Sequence, residues 1–144
     1  MKILLYVLAI VPTLALSAPK LTITFSQSDP GLVYFDFKAD ESTPVSGFQA
    51  RMVLPSKPKK VEISECASLV AKGNFGGCGY KAGVYTLLVY NNNNEAIGST
   101  SIGAVYFPPS MLKAAKNGEI ELVDVQFSSS EAYLVNGDIE ITYE

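Results

Sequence analysis

Histidine and tryptophan are both missing from this chain, and only two cysteines occur in its 144 residues. Without histidine there is no usual general base to activate a serine or cysteine nucleophile, and no imidazole to complete a zinc centre. A Gly-x-Ser-x-Gly elbow, a phosphate-cradling glycine loop and a His-Glu-x-x-His helix are absent as well. Charge is also sparse: 11 basic residues stand against 14 acidic ones. The single basic cluster is Lys57, Lys59 and Lys60. Nucleic-acid binding, which relies on clustered Lys and Arg to displace phosphate counterions, is therefore not expected. Nor is an enzyme, a metal or a cofactor.

The amino terminus reads as an export signal. Met1 and Lys2 supply a short positive region, residues 3–16 are almost uniformly apolar, and Ala15-Leu16-Ser17 places small residues at a cleavage site. The apolar run is shorter than the roughly 20 residues that a spanning helix needs, and Pro12 interrupts it. Cleavage after Ser17 fits best, because a cut after Ala18 would put Leu16 at the −3 position and Pro19 directly behind it. Residues 1–17 are thus expected to be a signal peptide and residues 18–144 one secreted or surface domain. Removing 17 of 144 residues leaves 127, enough for a single hydrophobic core. No later segment is apolar enough to cross a membrane as a helix.

In an oxidising compartment, Cys66 and Cys78 read as a disulfide. It would close a loop of about a dozen residues, worth roughly 3 kcal/mol in the chain-entropy account.

Through the remainder the dominant pattern is alternation with period two, interrupted by turn residues, as in half-buried antiparallel strands. Leu21, Ile23 and Phe25 alternate with Thr22 and Thr24. Asp29-Pro30-Gly31 is turn chemistry, and residues 31–38 (GLVYFDFK) follow as a second strand. Residues 45–54 give a third, with Gln49, Arg51 and Val53 on the side opposite Phe48, Ala50 and Met52. A short fourth strand is expected at residues 60–64, with Val61 and Ile63 inward. Residues 72–83 hold five glycines, too many for regular structure without an anchor. Residues 84–90 (VYTLLVY) are apolar on both faces and read as a central strand. Residues 102–107 are expected as its hairpin partner, closed by Pro108-Pro109. SMLKAAK, ended by Asn117-Gly118, is the one plausible helix. Residues 119–127 and 138–143 complete the set. The expected fold class is all-β: an antiparallel β-sandwich of about 8–9 strands.

Several chemistries remain open for such a scaffold. Asp36, Glu62, Glu65 and Asp124 could in principle pair for glycoside hydrolysis, yet they alternate with core residues as solvent-facing acids do. Tyr34, Phe75, Tyr80, Tyr85, Tyr90 and Tyr106 could stack on the C–H faces of sugars, or simply pack the sheets. Asp29, Asp40, Glu41 and Asn91 to Asn94 offer oxygen ligands without the fixed spacing of a calcium loop. A sheet face of mixed apolar and polar residues could also receive a protein.

The order of segments resembles the cohesin domain, a nine-stranded jelly-roll sandwich that receives dockerin modules. Val45-Ser46-Gly47-Phe48-Gln49-Ala50-Arg51-Met52-Val53-Leu54-Pro55 is similar to the cohesin third strand, and Val61-Glu62-Ile63-Ser64 to the short strand after it. Gly83-Val84-Tyr85-Thr86-Leu87-Leu88-Val89-Tyr90-Asn91 looks like the central strand, with Ile102-Gly103-Ala104-Val105-Tyr106-Phe107 following. Residues 119–131 and 137–143 resemble the cohesin ending. The resemblance implies that partners dock on the sheet holding the third and central strands. It nominates Gln49, Arg51, Tyr85, Leu87 and Val89, the last three if the central strand presents that side. The cysteine pair and its glycine-rich loop depart from the general cohesin pattern.

The expected function is a non-catalytic, cohesin-like binding module with a dockerin-like protein partner. A carbohydrate-binding module that holds polysaccharide and a structural or adhesive surface subunit are the alternatives. Two outcomes are expected of the exported product. Amino-terminal sequencing should begin at Ala18; retention of Met1 would refute the signal peptide. Under denaturing conditions iodoacetamide should label neither cysteine before reduction and both after it; labelling without reductant would exclude the disulfide.

Overall fold

A computed structural model describes residues 17–60, 63 and 74–144. The expected leader at 1–17 lies outside them except for Ser17, as do Glu62, Glu65 and Cys66. Among the described residues, nine strands and one helix follow in the order β1 (Lys20–Phe25), β2 (Leu32–Lys38), β3 (Gly47–Val53), β4 (Asn74–Lys81), β5 (Val84–Asn91), β6 (Thr100–Tyr106), α1 (Ser110–Lys116), β7 (Glu121–Ser128), β8 (Leu134–Val135) and β9 (Asp138–Tyr143). They form a four-stranded sheet, β6-β2-β1-β9, and a five-stranded sheet, β4-β5-β3-β7-β8. The all-β sandwich expected from alternation is the fold observed. One pairing is not antiparallel: β1 and β9 run parallel, Lys20 beside Asp138 and Phe25 beside Tyr143.

The two sheets meet through the inward half of each alternating strand. Leu21, Ile23 and Phe25 of β1, Val33, Phe35 and Phe37 of β2, and Phe48, Ala50 and Met52 of β3 are all buried. Aromatic rings join the layers. Phe37 of the four-stranded sheet stacks on Phe48 of the five-stranded one with centroids 4.8 Å apart. Phe35 lies parallel to Tyr85, with 6.0 Å between ring centroids and 3° between ring planes. Phe107 meets Tyr85 edge-on at 5.0 Å. Offset-stacked and edge-on pairs of this kind add about 0.5–1.5 kcal/mol each beyond the area they bury.

Helix α1 matches its expected span. Pro108-Pro109 precede it, Met111, Ala114 and Ala115 are buried, and Lys113 and Lys116 occupy the last turn, where the helix dipole favours cations. Asn117 caps it, and Gly118 takes the left-handed conformation at φ 69° that ends many helices. Lys116 sits 5.5 Å from the centre of the Tyr143 ring, tying the helix to β9.

Two expectations require correction. The glycine-rich stretch is strand β4, paired with β5 from Asn74↔Asn91 to Lys81↔Val84. Its two-residue loop, Ala82-Gly83, has positive φ at both positions (52° and 88°), as a hairpin of this hand needs. The hairpin partner of β5 is therefore β4, whereas residues 102–107 lie on β6 and pair with β2 in the other sheet. The expected strand at 60–64 falls mostly outside the described residues; Lys60 is in a short 3₁₀ turn, and Ile63 is buried. Strand β8, two residues long, carried no alternation by which to find it.

Tyr85 is 1% exposed, and its hydroxyl has no hydrogen-bond partner among the described residues. Burial pushes its phenol above the ordinary range. A buried, unpartnered hydroxyl costs about 1–3 kcal/mol, so Tyr85→Phe should raise stability by about 1 kcal/mol in urea unfolding at neutral pH. The sign with pH follows from linkage. Above about pH 10 the unfolded chain releases the Tyr85 proton while the fold still holds it, so stability falls with rising pH, and Tyr85→Phe should fall less steeply. A variant less stable than the parent at neutral pH would show that the hydroxyl is partnered.

Candidate functional site

The register of β5 decides which of the nominated residues can meet a partner. Tyr85, Leu87 and Val89 are 1%, 1% and 3% exposed, turned into the space between the sheets. They are core residues, and their nomination as partner-binding is corrected: Tyr85 stacks on Phe35, and the strand's period of two commits Leu87 and Val89 to the same side. The opposite side of β5 presents Val84, Thr86, Leu88 and Tyr90. Gln49 and Arg51 do point outward on β3, beside Leu88 and Thr86 respectively.

Following the register across the five-stranded sheet gives its outer surface in rows. The first row runs Phe75, Tyr90, Gly47, Ser128 and Leu134. The second runs Gly77, Leu88, Gln49 and Gln126, and the third Gly79, Thr86, Arg51 and Val123. Leu88, Tyr90 and Leu134 are 43%, 45% and 71% exposed, large apolar side chains standing free of the core. Phe75 stacks on Tyr90 with centroids 5.9 Å apart.

Glycine shapes the space between these side chains. Gly47 leaves a trough of about 160 Å³ walled by Leu88, Tyr90, Gln49, Gln126, Ser128 and Leu134. A β-carbon there would stand 3.2 Å from the Ser128 hydroxyl oxygen and 3.4 Å from the Val89 carbonyl oxygen, so any larger residue would both crowd the strand and fill the trough. On β4, Gly77 and Gly79 leave bare backbone beside Leu88 and Thr86.

The trough has a polar border. A bulge opposite Ala50 interrupts the pairing of β3 with β7 and puts Asp124 in the left-handed region at φ 49°. There its carboxylate accepts from Arg51 at 3.0 Å, and its backbone oxygen from the Gln49 amide at 3.5 Å. The pair is about half exposed on both sides, so it orients Arg51 more than it stabilises the fold.

The other candidates are scattered. Asp36 lies on the outer face of the four-stranded sheet and Asp124 on that of the five-stranded one, so these two carboxylates do not form a catalytic pair. Asp40 accepts from the Ser42 hydroxyl at 2.8 Å and from the Ser42 backbone N–H at 3.2 Å, a turn-forming role. The Ser42 hydroxyl holds the Asp40 carboxyl below its usual range. Of the aromatic candidates, Tyr85 is in the core, and Tyr80 turns the same way and donates its hydroxyl to the Pro58 carbonyl. Cys78 is half-buried on β4; its expected partner Cys66 is outside the described residues.

No family model matches the sequence, and no curated protein matches it. Solved structures do. The non-cellulosomal cohesin of the hyperthermophilic archaeon Archaeoglobus fulgidus superposes with a TM-score of 0.56 at 12% identity, over 88% of this chain and 90% of that one. A cohesin module from a Clostridium perfringens family 33 glycoside hydrolase superposes with a TM-score of 0.52 at 9% identity, over 90% of this chain and all of that one. The fold is cohesin-like, as the segment order suggested.

Proposed function

We propose that this chain is an exported, non-catalytic recognition module that receives a protein partner, in the manner of a cohesin, on the outer face of its five-stranded sheet. The observation that carries the reading is the exposed apolar group of Leu88, Tyr90, Phe75 and Leu134 around the Gly47 trough, bordered by Gln49, Gln126 and the Arg51–Asp124 pair. An apolar centre with a polar rim is the anatomy of a protein interface, and aromatic residues and arginine are over-represented in such places. The cohesin-like fold supports a binding role of this kind, and so does the absence of histidine from the chain. Export is supported by the leader pattern and by the lack of any free cysteine among the described residues. A Cys66–Cys78 link would brace β4, the edge strand that carries Phe75.

This face suits a protein better than a sugar. Phe75 and Tyr90 stack on one another, so one face of each ring is already taken and is not open to a pyranose.

The reading is tested by affinity capture from the host secretome with the parent chain and with Leu88→Asp. Leu88 is on the surface, so the substitution should leave the circular dichroism spectrum unchanged. A desolvated, unpaired carboxylate in the middle of an interface should weaken capture of the partner at least thirtyfold. Equal capture by the variant, or a parent chain that retains no protein, would reject this face.

A further inference from the structure

The opposite surface of the sandwich has a different chemistry, and the proposed protein interface makes no use of it. Register across the four-stranded sheet aligns Ala104, Tyr34, Thr24 and Thr142 in one row and Ser101, Asp36, Thr22 and Glu140 in the next. Tyr34 is 38% exposed on β2, and its neighbour on β6 is the short Ala104. On β1 its neighbour is Thr24, whose hydroxyl is hydrogen-bonded to that of Thr142 at 2.9 Å. Beside Tyr34 lies a depression of about 370 Å³ lined by Thr24, Ser26, Ser28, Tyr34, Asp36 and Glu144.

The ends of this depression are held in place. The Ser26 and Ser28 hydroxyls are 3.1 Å apart, and the Asp29 backbone N–H donates to Ser26 Oγ at 3.1 Å. Diagonal to Tyr34, Tyr106 is 48% exposed and donates its hydroxyl to the Asp29 carboxylate at 2.9 Å. That bond and the charge of Asp29 hold the Tyr106 phenol above its ordinary range, and the bond itself fixes where the hydroxyl points. Tyr34 and Tyr106 thus stand at diagonal positions on neighbouring strands, with the patch of hydroxyls and carboxylates on the β1 side of Tyr34.

We propose that this surface is a second binding site, specific for a neutral oligosaccharide. The depression has one aromatic ring to meet the C–H face of a sugar, the hydroxyls of Ser28 and Tyr34 at its surface above those of Thr24 and Ser26, which are buried and bonded to Thr142 and Ser28, and the side-chain carboxylates of Asp36 and Glu144, which accept from sugar hydroxyls. It has no lysine or arginine, so phosphate, sulfate and uronate groups would meet only negative charge. Anions are disfavoured on the same grounds, whereas a polyol with one apolar flank can stack on Tyr34 and donate to the Asp36 and Glu144 carboxylates. The site is on the sheet opposite the proposed protein interface, so the two could be filled together, and either reading can fail alone.

The experiment is titration of the oxidised chain with soluble hexasaccharides of glucose, mannose, xylose and N-acetylglucosamine, followed by calorimetry and by amide chemical shifts. A heparin hexasaccharide and spermidine serve as the anionic and cationic arms. Saturable binding of at least one neutral hexasaccharide is expected, with shifts concentrated at Thr24, Tyr34, Asp36 and Tyr106. Tyr34→Ala should weaken it about tenfold, while Tyr34→Phe, which keeps the ring, should retain most of it. Binding that survives Tyr34→Ala undiminished, shifts confined to the Leu88 and Tyr90 surface, or binding of spermidine or heparin but of no neutral sugar would overturn the proposal.

Discussion

The contact on which the rest depends is the seam of rings between the sheets, where Phe37 of β2 stacks on Phe48 of β3 and Phe35 lies against Tyr85 of β5. Truncating a buried phenylalanine costs about 3–5 kcal/mol, a large part of the stability of a domain this size. The seam also acts as a switch of parity. Once Tyr85 is inside, Leu87 and Val89 must follow, and Thr86, Leu88 and Tyr90 must face out. A slip of one residue would bury Tyr90 and expose Tyr85, so the aromatic pairing sets both the core and the proposed binding surface.

The parity of β5 was the part of the site that alternation could not decide. Most strands betray their inner side: Val33, Phe35 and Phe37 alternate with Tyr34, Asp36 and Lys38, and the buried set is the apolar one. In residues 84–90 both sides are apolar, so only the contact with Phe35 distinguishes them. Gln49 and Arg51 were legible as outward residues because their neighbours Phe48, Ala50 and Met52 leave no choice. Strand β4 was hidden for another reason. Glycine weakens strand propensity, and Ala82-Gly83 is an unusual pair for a turn with two positive φ angles, so neither strand nor hairpin announced itself. Yet Phe75, Gly77, Gly79 and Lys81 do alternate with Cys78 and Tyr80, and that period was a signal available beneath the composition. The place of β6 in the other sheet was illegible because the Asn-rich link after β5 reads as a hairpin turn, although it crosses between layers.

Glycine on the outer face costs strand stability and leaves open the space that the proposed interface would use. A β-carbon at Gly47 would crowd the Ser128 hydroxyl, and a longer side chain would fill the trough between Tyr90 and Leu134. Gly77 and Gly79 likewise leave the edge of the sheet flat beside Leu88. Interior strand positions of this kind are where another backbone or a ligand can approach closely. The bulge at Asp124 works in the same direction, since it frees a carboxylate from the ladder and aims it at Arg51.

Chains that share 12% identity can share this sandwich because the fold asks only for apolar residues at alternate positions and turns between them. The outward half of each strand is left almost unconstrained by folding, and there the two sheets of this protein diverge. One presents Leu88, Tyr90, Phe75 and Leu134, the other Thr22, Thr24, Thr142 and Asp36 around Tyr34. If solubility alone shaped the surface, the apolar group would be the first to disappear, because exposed aromatic and aliphatic clusters promote association. Its presence beside a hydroxyl-rich sheet that meets the solubility requirement is in keeping with the proposed protein interface. Such a division puts the two proposed ligands on opposite sides of one core, each read by side chains that the core itself does not need.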